Sequence, residues 1–232
     1  MIKVSLITTC KGRLDHLKAT APTMIAQSGV TYELIVVDYG DPDNTLSFVC
    51  TELKFPRRAA VHVVEDTDTF NLNRARNFGA QFAIGEILAF VDADVFLADR
   101  WLTNISREIA NGAKLVTRGG TRKGITGTFA VTKELFELVG GFNEALVGWG
   151  HDEVDFCRRC RKLADSCTYN PNLVRAITHT DEVRTAYYNE KDKKVSHAEN
   201  VALSAQDREV NLDGIAQGQA LYYRYPDQPY VA

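Results

Sequence analysis

Residues 3–8 and 32–38 are apolar, β-branched runs, and between them Leu14, Leu17, Ala21, Met24 and Ile25 recur at helical spacing. Strand, helix and strand in that order make a βαβ unit, so the two strands are expected to run parallel. Residues 61–65 repeat the strand pattern, and Leu72, Ala75, Gly79, Phe82 and Ala83 mark a second helical face. Residues 87–91, Ile-Leu-Ala-Phe-Val, form a continuous apolar run, as in a central strand buried on both faces. The pattern predicts an α/β fold with a mainly parallel central sheet flanked by helices.

Leu102, Ile105 and Ile109 then suggest a further helix. Residues 117–127, Thr-Arg-Gly-Gly-Thr-Arg-Lys-Gly-Ile-Thr-Gly, are basic and glycine-rich, and read either as a loop over a ligand or as an exposed hairpin connection. A strand is expected over 129–132 and a short helix over 134–139, with Gly140-Gly141 as a break. Val154, Cys157, Cys160 and Ala164 trace one face of a helix over 152–164. Residues 191–216 read as a solvated helix, and 221–232, with four tyrosines and two prolines, as an irregular tail.

Composition narrows the class. A chain of 232 residues with 45% hydrophobic and 25% charged residues is neither disordered, collagen-like nor coiled-coil, and is expected to form one domain with an appendage. Lys and Arg total 27 against 30 Asp and Glu, a net charge of −3, which supplies no basic field for nucleic acid. The opening Met-Ile-Lys-Val-Ser-Leu-Ile-Thr-Thr reads as a first strand rather than a signal peptide. No run approaches the roughly 18 apolar residues of a spanning helix, so a soluble, cytoplasmic protein is expected, with peripheral membrane contact left open. The cysteines at 10, 50, 157, 160 and 167 are odd in number and scattered, as expected of reduced thiols, and no second pair completes a zinc site with the Cys157/Cys160 CxxC.

Ligands of open parallel sheets bind beyond the carboxyl ends of the strands. The residues found there are Thr8, Thr9, Cys10 and Lys11; then Asp38; then Glu65 and Asp66; then Asp92, Ala93 and Asp94. Neither a GxGxxG nor a GxxxxGK[ST] motif follows an early strand, against a Rossmann dehydrogenase or a Walker ATPase. Two carboxylates at the end of a buried strand are costly unless a cation or hydrogen-bond donors neutralise them. A hard divalent cation shared with diphosphate oxygens would do so; strand-end capping is the plain alternative. A second acidic group follows in Gly148-Trp149-Gly150-His151-Asp152-Glu153-Val154-Asp155. Asp152 and Asp155 have the spacing of a helix cap, which leaves Glu153 unexplained. A Trp between two glycines beside carboxylates suits a sugar ring.

These segments resemble metal-dependent glycosyltransferases of the GT-A fold, both the small family-2-like enzymes and the galactosyl- and N-acetylgalactosaminyltransferases. The resemblance spans roughly residues 3 to 180. It rests on Val91-Asp92-Ala93-Asp94 as a DxD motif, on Asn73-Arg74-Ala75-Arg76-Asn77-Phe78-Gly79-Ala80 before it, and on Gly140-Gly141-Phe142-Asn143-Glu144 followed by the Trp149 stretch. It implies a single GT-A-like domain over 1–232, with a nucleotide-binding half at 1–98, an acceptor and catalytic half at 99–180, and a C-terminal helical extension and tail at 181–232.

The same resemblance implies roles position by position. Thr8, Thr9 and Lys11 or Arg13 would lie by the nucleotide, and Asp38 would accept from a uracil ring. Asn73, Arg76 and Asn77 would contact nucleotide or donor sugar, with Asp66 and Ala93 completing the donor-side set. Asp94 would ligate Mn2+ or Mg2+, Asp92 would bind the ribose or the metal, and His179 would be a further ligand; His62, His151 and His197 are weaker candidates. Trp149, Gly150 and Asp152 would hold the acceptor. The family usually carries Glu then Asp where this chain has Asp152-Glu153, so either could be the base that accepts the acceptor's proton. The implied activity is transfer of a sugar, galactose or N-acetylgalactosamine favoured, from a UDP-sugar to a hydroxyl of a glycan or other acceptor, with inversion favoured over retention. A binding module of the same fold without turnover is one alternative. A sugar-nucleotide pyrophosphorylase is another, although Thr9-Cys10-Lys11-Gly12-Arg13 poorly matches its glycine-rich basic loop.

Overall fold

The computed structural model describes residues 3–119, 125–206 and 220–224. It opens with β1 (Val4–Cys10), α1 (Leu14–Ile25) and β2 (Tyr32–Asp38), then α2 (Thr45–Ser47), which runs into a π-helical turn at Phe48–Glu52. β3 (Arg58–Val63), α3 (Leu72–Gln81), β4 (Ile87–Phe90), β5 (Val95–Leu97) and α4 (Trp101–Ala110) follow. After β6 (Leu115–Arg118) come β7 (Phe129–Thr132), α5 (Lys133–Leu138), α6 (Asp152–Leu163), β8 (Ser166–Tyr169) and β9 (Val174–Ala176). The last elements are α7 (Asp181–Thr185), α8 (Lys193–Ser204) and β10 (Ala220–Arg224).

The main sheet has the order β10-β3-β2-β1-β4-β7-β6-β8, and β5 pairs with β9 in a small separate ribbon. The strands β3, β2, β1 and β4 are parallel, as the βαβ reading requires. β7 adds antiparallel to β4, and β10 antiparallel to β3. Alternation along each central strand divides its apolar side chains between two cores. Leu34 and Val36 of β2 face one core, with Leu17 and Met24 of α1 and Trp101 of α4. Ile35 and Val37 face the other, with Phe78 of α3, Phe136 of α5 and Phe156 of α6. Burying both faces is why these strands read as unbroken apolar runs.

Several expectations are corrected. β3 is Arg58–Val63 where a strand over 61–65 is expected, so it begins and ends earlier; Glu65 and Asp66 follow it, as expected of strand-end residues, with Asp66 at φ +52°. The predicted long helix over 191–216 is α8, Lys193–Ser204, and residues 207–219 lie outside the described residues. Part of the supposedly irregular tail is β10, because Tyr222 stacks on Phe82 at 4.5 Å and Arg224 pairs with Glu33 at 2.9 Å. Both partners are remote in sequence, so the tail's own composition carried no sign of them. The short strands β5, β6, β8 and β9 also escaped the periodicity reading, and residues 120–124 of the basic glycine-rich stretch lie outside the described residues. No described helix is long and apolar enough to cross a membrane. Burial pushes the Cys10, Cys157 and Cys160 thiols up to about 12, far from the thiolate form.

One connection sets the position of α6. Gly140 and Gly141 take φ of +76° and +64°, turning the chain after α5 at low cost because glycine has no Cβ. The next residues are bound to α3. Asn77 accepts from the Phe142 N–H at 2.9 Å and donates to the Phe142 carbonyl at 3.0 Å and to Glu144 Oε1 at 2.7 Å. Asn73 donates to the carbonyls of Asn143 and Leu146, and Asn71 to that of Glu144. Phe142 is thereby held in the core, stacked on Phe156 of α6 at 4.4 Å. Replacing Asn77 by Ala strands a buried N–H and a buried C=O and is expected to cost about 2–4 kcal/mol in urea denaturation. A loss under about 0.5 kcal/mol would show that water satisfies these groups instead.

Candidate active site

β4 ends at Phe90, and the turn through Asp92, Ala93 and Asp94 leads into β5. The turn is fixed by its backbone: Val95 N–H donates to the Asp92 carbonyl at 3.0 Å, and Thr20 of α1 donates to that of Ala93 at 2.6 Å. α3 runs beside this strand end and carries Arg76, whose side chain is 2% exposed. Its guanidinium meets three carboxylates: Asp152 at 2.9 Å, Asp92 at 3.0 Å and Glu153 at 3.2 Å. The Phe142 ring lies 5.1 Å from its central carbon, so the loop that places α6 also walls the cation.

One positive charge against three negative ones leaves a local excess of acid. Burial, then the charge of Asp152, raises Glu153 to about 7, with Arg76 opposing. Burial also raises Asp92 to about 6, opposed by Arg76 and aided by Asp94 and Glu153. Arg76 itself stays charged: burial works against it, and Glu153, Asp92 and Asp152 outweigh that. Gly127 fits closely here, since a Cβ there would lie 2.3 Å from Asp92 Oδ2 and 2.6 Å from an Arg76 nitrogen.

Asp94 faces a different partner. The Ile177 N–H donates to the Asp94 carbonyl at 2.8 Å, bringing the chain after β9 alongside, and His179 Nε2 lies 2.6 Å from Asp94 Oδ2. Arg184 Nε donates to His179 Nδ1 at 3.3 Å, and His16 of α1 stacks on the ring at 5.6 Å. Among the described residues no three His, Cys, Asp or Glu side chains converge as a metal cage. One carboxylate oxygen and one imidazole nitrogen still suit a divalent ion that takes its other ligands from substrate phosphates and water. Arg13 lies beside this pair, bonded to the Val183 carbonyl at 2.7 Å and 3.4 Å from His16 Nδ1.

The remaining candidates divide. Lys11 reaches the site's edge but donates to the carbonyls of Tyr39 and Gly40 at 3.2 and 3.0 Å. Thr8 and Thr9 are buried in β1, with the Thr8 hydroxyl unpartnered. Both Asp38 oxygens are engaged, one by the Asp41 N–H at 2.7 Å, the other by the Leu46 N–H at 3.0 Å and His62 at 3.1 Å. Asn77 and the Asn73 NH2 group are bonded to the 142–146 loop, the Asn73 Oδ1 is buried without a partner among the described residues, and Ala93 is buried. Asp66 is 88% exposed, its carboxylate 3.8 Å from Arg74. Asp92, assigned above to ribose or metal, is hydrogen-bonded to Arg76, while Asp94, whose charge it feels, pairs with His179.

Trp149 stands between Gly148 and Gly150 at φ of +88° and +93°. α8 docks on this loop: Ser196 accepts from the Trp149 N–H at 2.8 Å, Asn200 donates to the Gly150 carbonyl at 2.8 Å, and Lys193 Nζ lies 4.3 Å over the indole. Lys193, Ser196 and Asn200 went unremarked in the sequence, while Phe142 and Gly127 stood inside segments already singled out there, without a role of their own. Gly127 stood in a stretch already read as possibly covering a ligand, whereas nothing in the α8 segment marked its target. Because Glu153 is raised above its unfolded value, the native protein binds more protons than the unfolded chain between about pH 4.5 and 7, so its stability falls as pH rises through that window. In chelator, Glu153→Gln is therefore expected to melt above wild type at pH 8 and close to it at pH 4.5. A variant less stable than wild type at pH 8 would mean that attraction to Arg76 outweighs burial.

Comparison with known proteins places this geometry. The model of Glycosyl transferase family 2 matches residues 5–163. An uncharacterised protein of Sinorhizobium fredii (strain NBRC 101917 / NGR234) is 24% identical over 215 residues, covering 72% of this chain; the match spans 23% of that longer protein. The catalytic domain of Drosophila β1,4-galactosyltransferase 7, solved with xylobiose, superposes with a TM-score of 0.63 at 16% identity over 97% of this chain and 93% of that one. The mannosyltransferase PcManGT of Pyrobaculum calidifontis, solved with GDP-Man and Mn2+, gives 0.65 at 18% identity over 85% and 69%. Staphylococcus aureus TarS 1-349 gives 0.62 at 17% identity, and 58% of it is covered. Identities this low carry the fold, and the family match carries the class. With its α/β sheet, its Asp92–Asp94 turn at the end of β4 and more than half its length matched, the chain belongs to glycosyl transferase family 2.

Proposed function

We propose that this glycosyltransferase uses a UDP-sugar, galactose or N-acetylgalactosamine favoured, and a divalent cation, Mn2+ or Mg2+, to glycosylate an acceptor hydroxyl with inversion. The observation that carries the reading is the meeting at one sheet end of Asp94 with His179 and of Arg76 with Asp92, Asp152 and Glu153. Asp94 and His179 would hold the cation. Bound there, it would neutralise a donor diphosphate as that group departs. The Mn2+ of the mannosyltransferase neighbour supports the metal, and the galactosyltransferase neighbour the sugar.

Glu153 is the base in this reading. Its side chain is 15% exposed against 8% for Asp152, and its raised value leaves it ready to take a proton near neutral pH. Asp152, the more buried of the two and 2.9 Å from Arg76, keeps the pair in place and orients the acceptor. Trp149 offers an aromatic face beside them. Arg13, next to His16 and His179, adds positive charge where the diphosphate would lie.

Thermal unfolding with Mn2+ plus UDP, beside GDP, CDP, metal alone and UDP with EDTA, tests donor binding. A ligand selective for the native state at 100-fold its Kd stabilises by about 2.7 kcal/mol. Stabilisation by UDP that needs metal and disappears in Asp94→Asn is expected; a response to GDP instead would replace the donor base, and none to any nucleotide would overturn the reading. Glu153→Gln is expected to lower transfer by about 10²–10⁴-fold while keeping donor binding. Wild-type transfer should rise with pH through the ionisation of Glu153 at about 7. Full transfer by Glu153→Gln would move the base to Asp152.

A further inference from the structure

The chain between α7 and α8 does more than join two helices. The Phe70 N–H donates to the Tyr187 carbonyl at 2.7 Å, Thr69 Oγ1 to Asn189 Oδ1 at 2.8 Å, and the Tyr188 N–H to the Thr185 carbonyl at 3.0 Å. These bonds strap residues 185–189 to the segment just before α3. On one side the Tyr187 ring lies against Gly12, where a Cβ would come within 1.9 Å of it, and Lys11 Nζ is 5.3 Å from its centre. Tyr188 is 7% exposed and stacks on Phe70 at 5.8 Å, 17° from parallel. Phe70 in turn packs edge-on to Tyr39 at 5.5 Å, so the Tyr188 ring is fixed from behind.

Its hydroxyl has no hydrogen-bond partner among the described residues. The ring is buried, but the oxygen itself is not among the buried unpartnered atoms, so it keeps an opening through which it can bond a ligand. The charges acting on this hydroxyl are those of Asp152, Arg76, Glu153 and Asp92, and Tyr188 is also felt by Arg13, beside His16 and His179. The first four charges belong to the Arg76 group, and Arg13 lies beside the Asp94–His179 pair, so the ring held on Phe70 stands on the side of the site that both groups face. In the proposed reaction the transferred sugar must lie between its departing diphosphate, next to Asp94 and His179, and the attacking hydroxyl, next to Asp152 and Glu153.

We propose that the Tyr188 hydroxyl is a sugar-contact group that hydrogen-bonds the transferred hexose of the donor, so that the α7–α8 connection supplies part of the donor-sugar subsite. The inference rests on the function proposed above and deepens it. No charge is needed from the phenol, only an O–H donor or an oxygen acceptor toward a sugar hydroxyl.

The test is a cycle of affinities with Mn2+, measured calorimetrically for UDP, UDP-galactose and UDP-N-acetylgalactosamine, and for GDP and GDP-mannose, on wild type and Tyr188→Phe. The Phe ring keeps the stack on Phe70 and removes one oxygen, so the melting temperature should not fall. For the donor that wild type uses, Tyr188→Phe should bind the sugar nucleotide about five- to tenfold more weakly and its nucleoside diphosphate unchanged, the scale of one lost neutral hydrogen bond. Equal losses for sugar nucleotide and nucleoside diphosphate, or no loss for either, would overturn the inference while leaving the transferase reading intact. Wild type binding none of the five would instead sink the transferase reading and this inference together. A measurement that needs no variant is the 13Cζ signal of labelled Tyr188, expected to shift with the sugar nucleotide and to stay put with the nucleoside diphosphate; a signal still in both would overturn the assignment.

Discussion

The buried guanidinium of Arg76 is the contact on which the rest of the site depends. It joins the first turn of α6 to the end of β4, through Asp152 and Glu153 on one element and Asp92 on the other. A cation with a fixed planar fork of donors can serve several carboxylates at once, which the point charge of a lysine could not. Removing it would leave three partly buried acids to repel one another, a state far more costly than an unmade surface ion pair. Burial and then the charge of Asp152 outweigh the pull of this cation on Glu153, which keeps that carboxylate able to exchange a proton near neutrality.

Holding such a group requires a stiff frame, and the frame is made of amides and aromatics. Asn71, Asn73 and Asn77 bind the 142–146 loop to α3. Phe142 then packs among Phe90, Phe129, Phe136 and Phe156, beneath Arg76. Asn73 and Asn77, which the resemblance sends to nucleotide or donor sugar, thus also hold the loop that leads to the acids. Function and packing share one helix here, because α3 presents one face to the core and its Arg76 to the cleft.

The C-terminal extension packs against the candidate site from outside the motifs that carry the family resemblance. α8 seats Ser196, Asn200 and Lys193 on the Trp149 loop, and the strap before it brings Tyr187 and Tyr188 to the sheet end. β10 ties the chain back to the far edge of the sheet through Arg224 and Glu33. α8, the strap and β10 thus fasten the region after β9 to the Trp149 loop, to the segment before α3 and to the edge of the sheet.

The sequence alone determined the α/β class, the parallel order of its first strands and the position of the Asp92–Asp94 turn. Each follows from local physics: two-faced burial makes strands read as apolar runs, and polar residues cannot continue such a run at its end. His179 was legible as a partner of Asp94 only through family resemblance, since 85 residues separate them. What the tertiary structure decided was pairing. It assigned Asp92 to Arg76 and Asp94 to His179, spent Asn73, Asn77 and Asp38 on internal bonds, left Asp66 in solvent, and turned part of the tail into β10. Those outcomes depend on which remote group arrives within about 3 Å, a distance set by the packing of whole elements and absent from any local pattern.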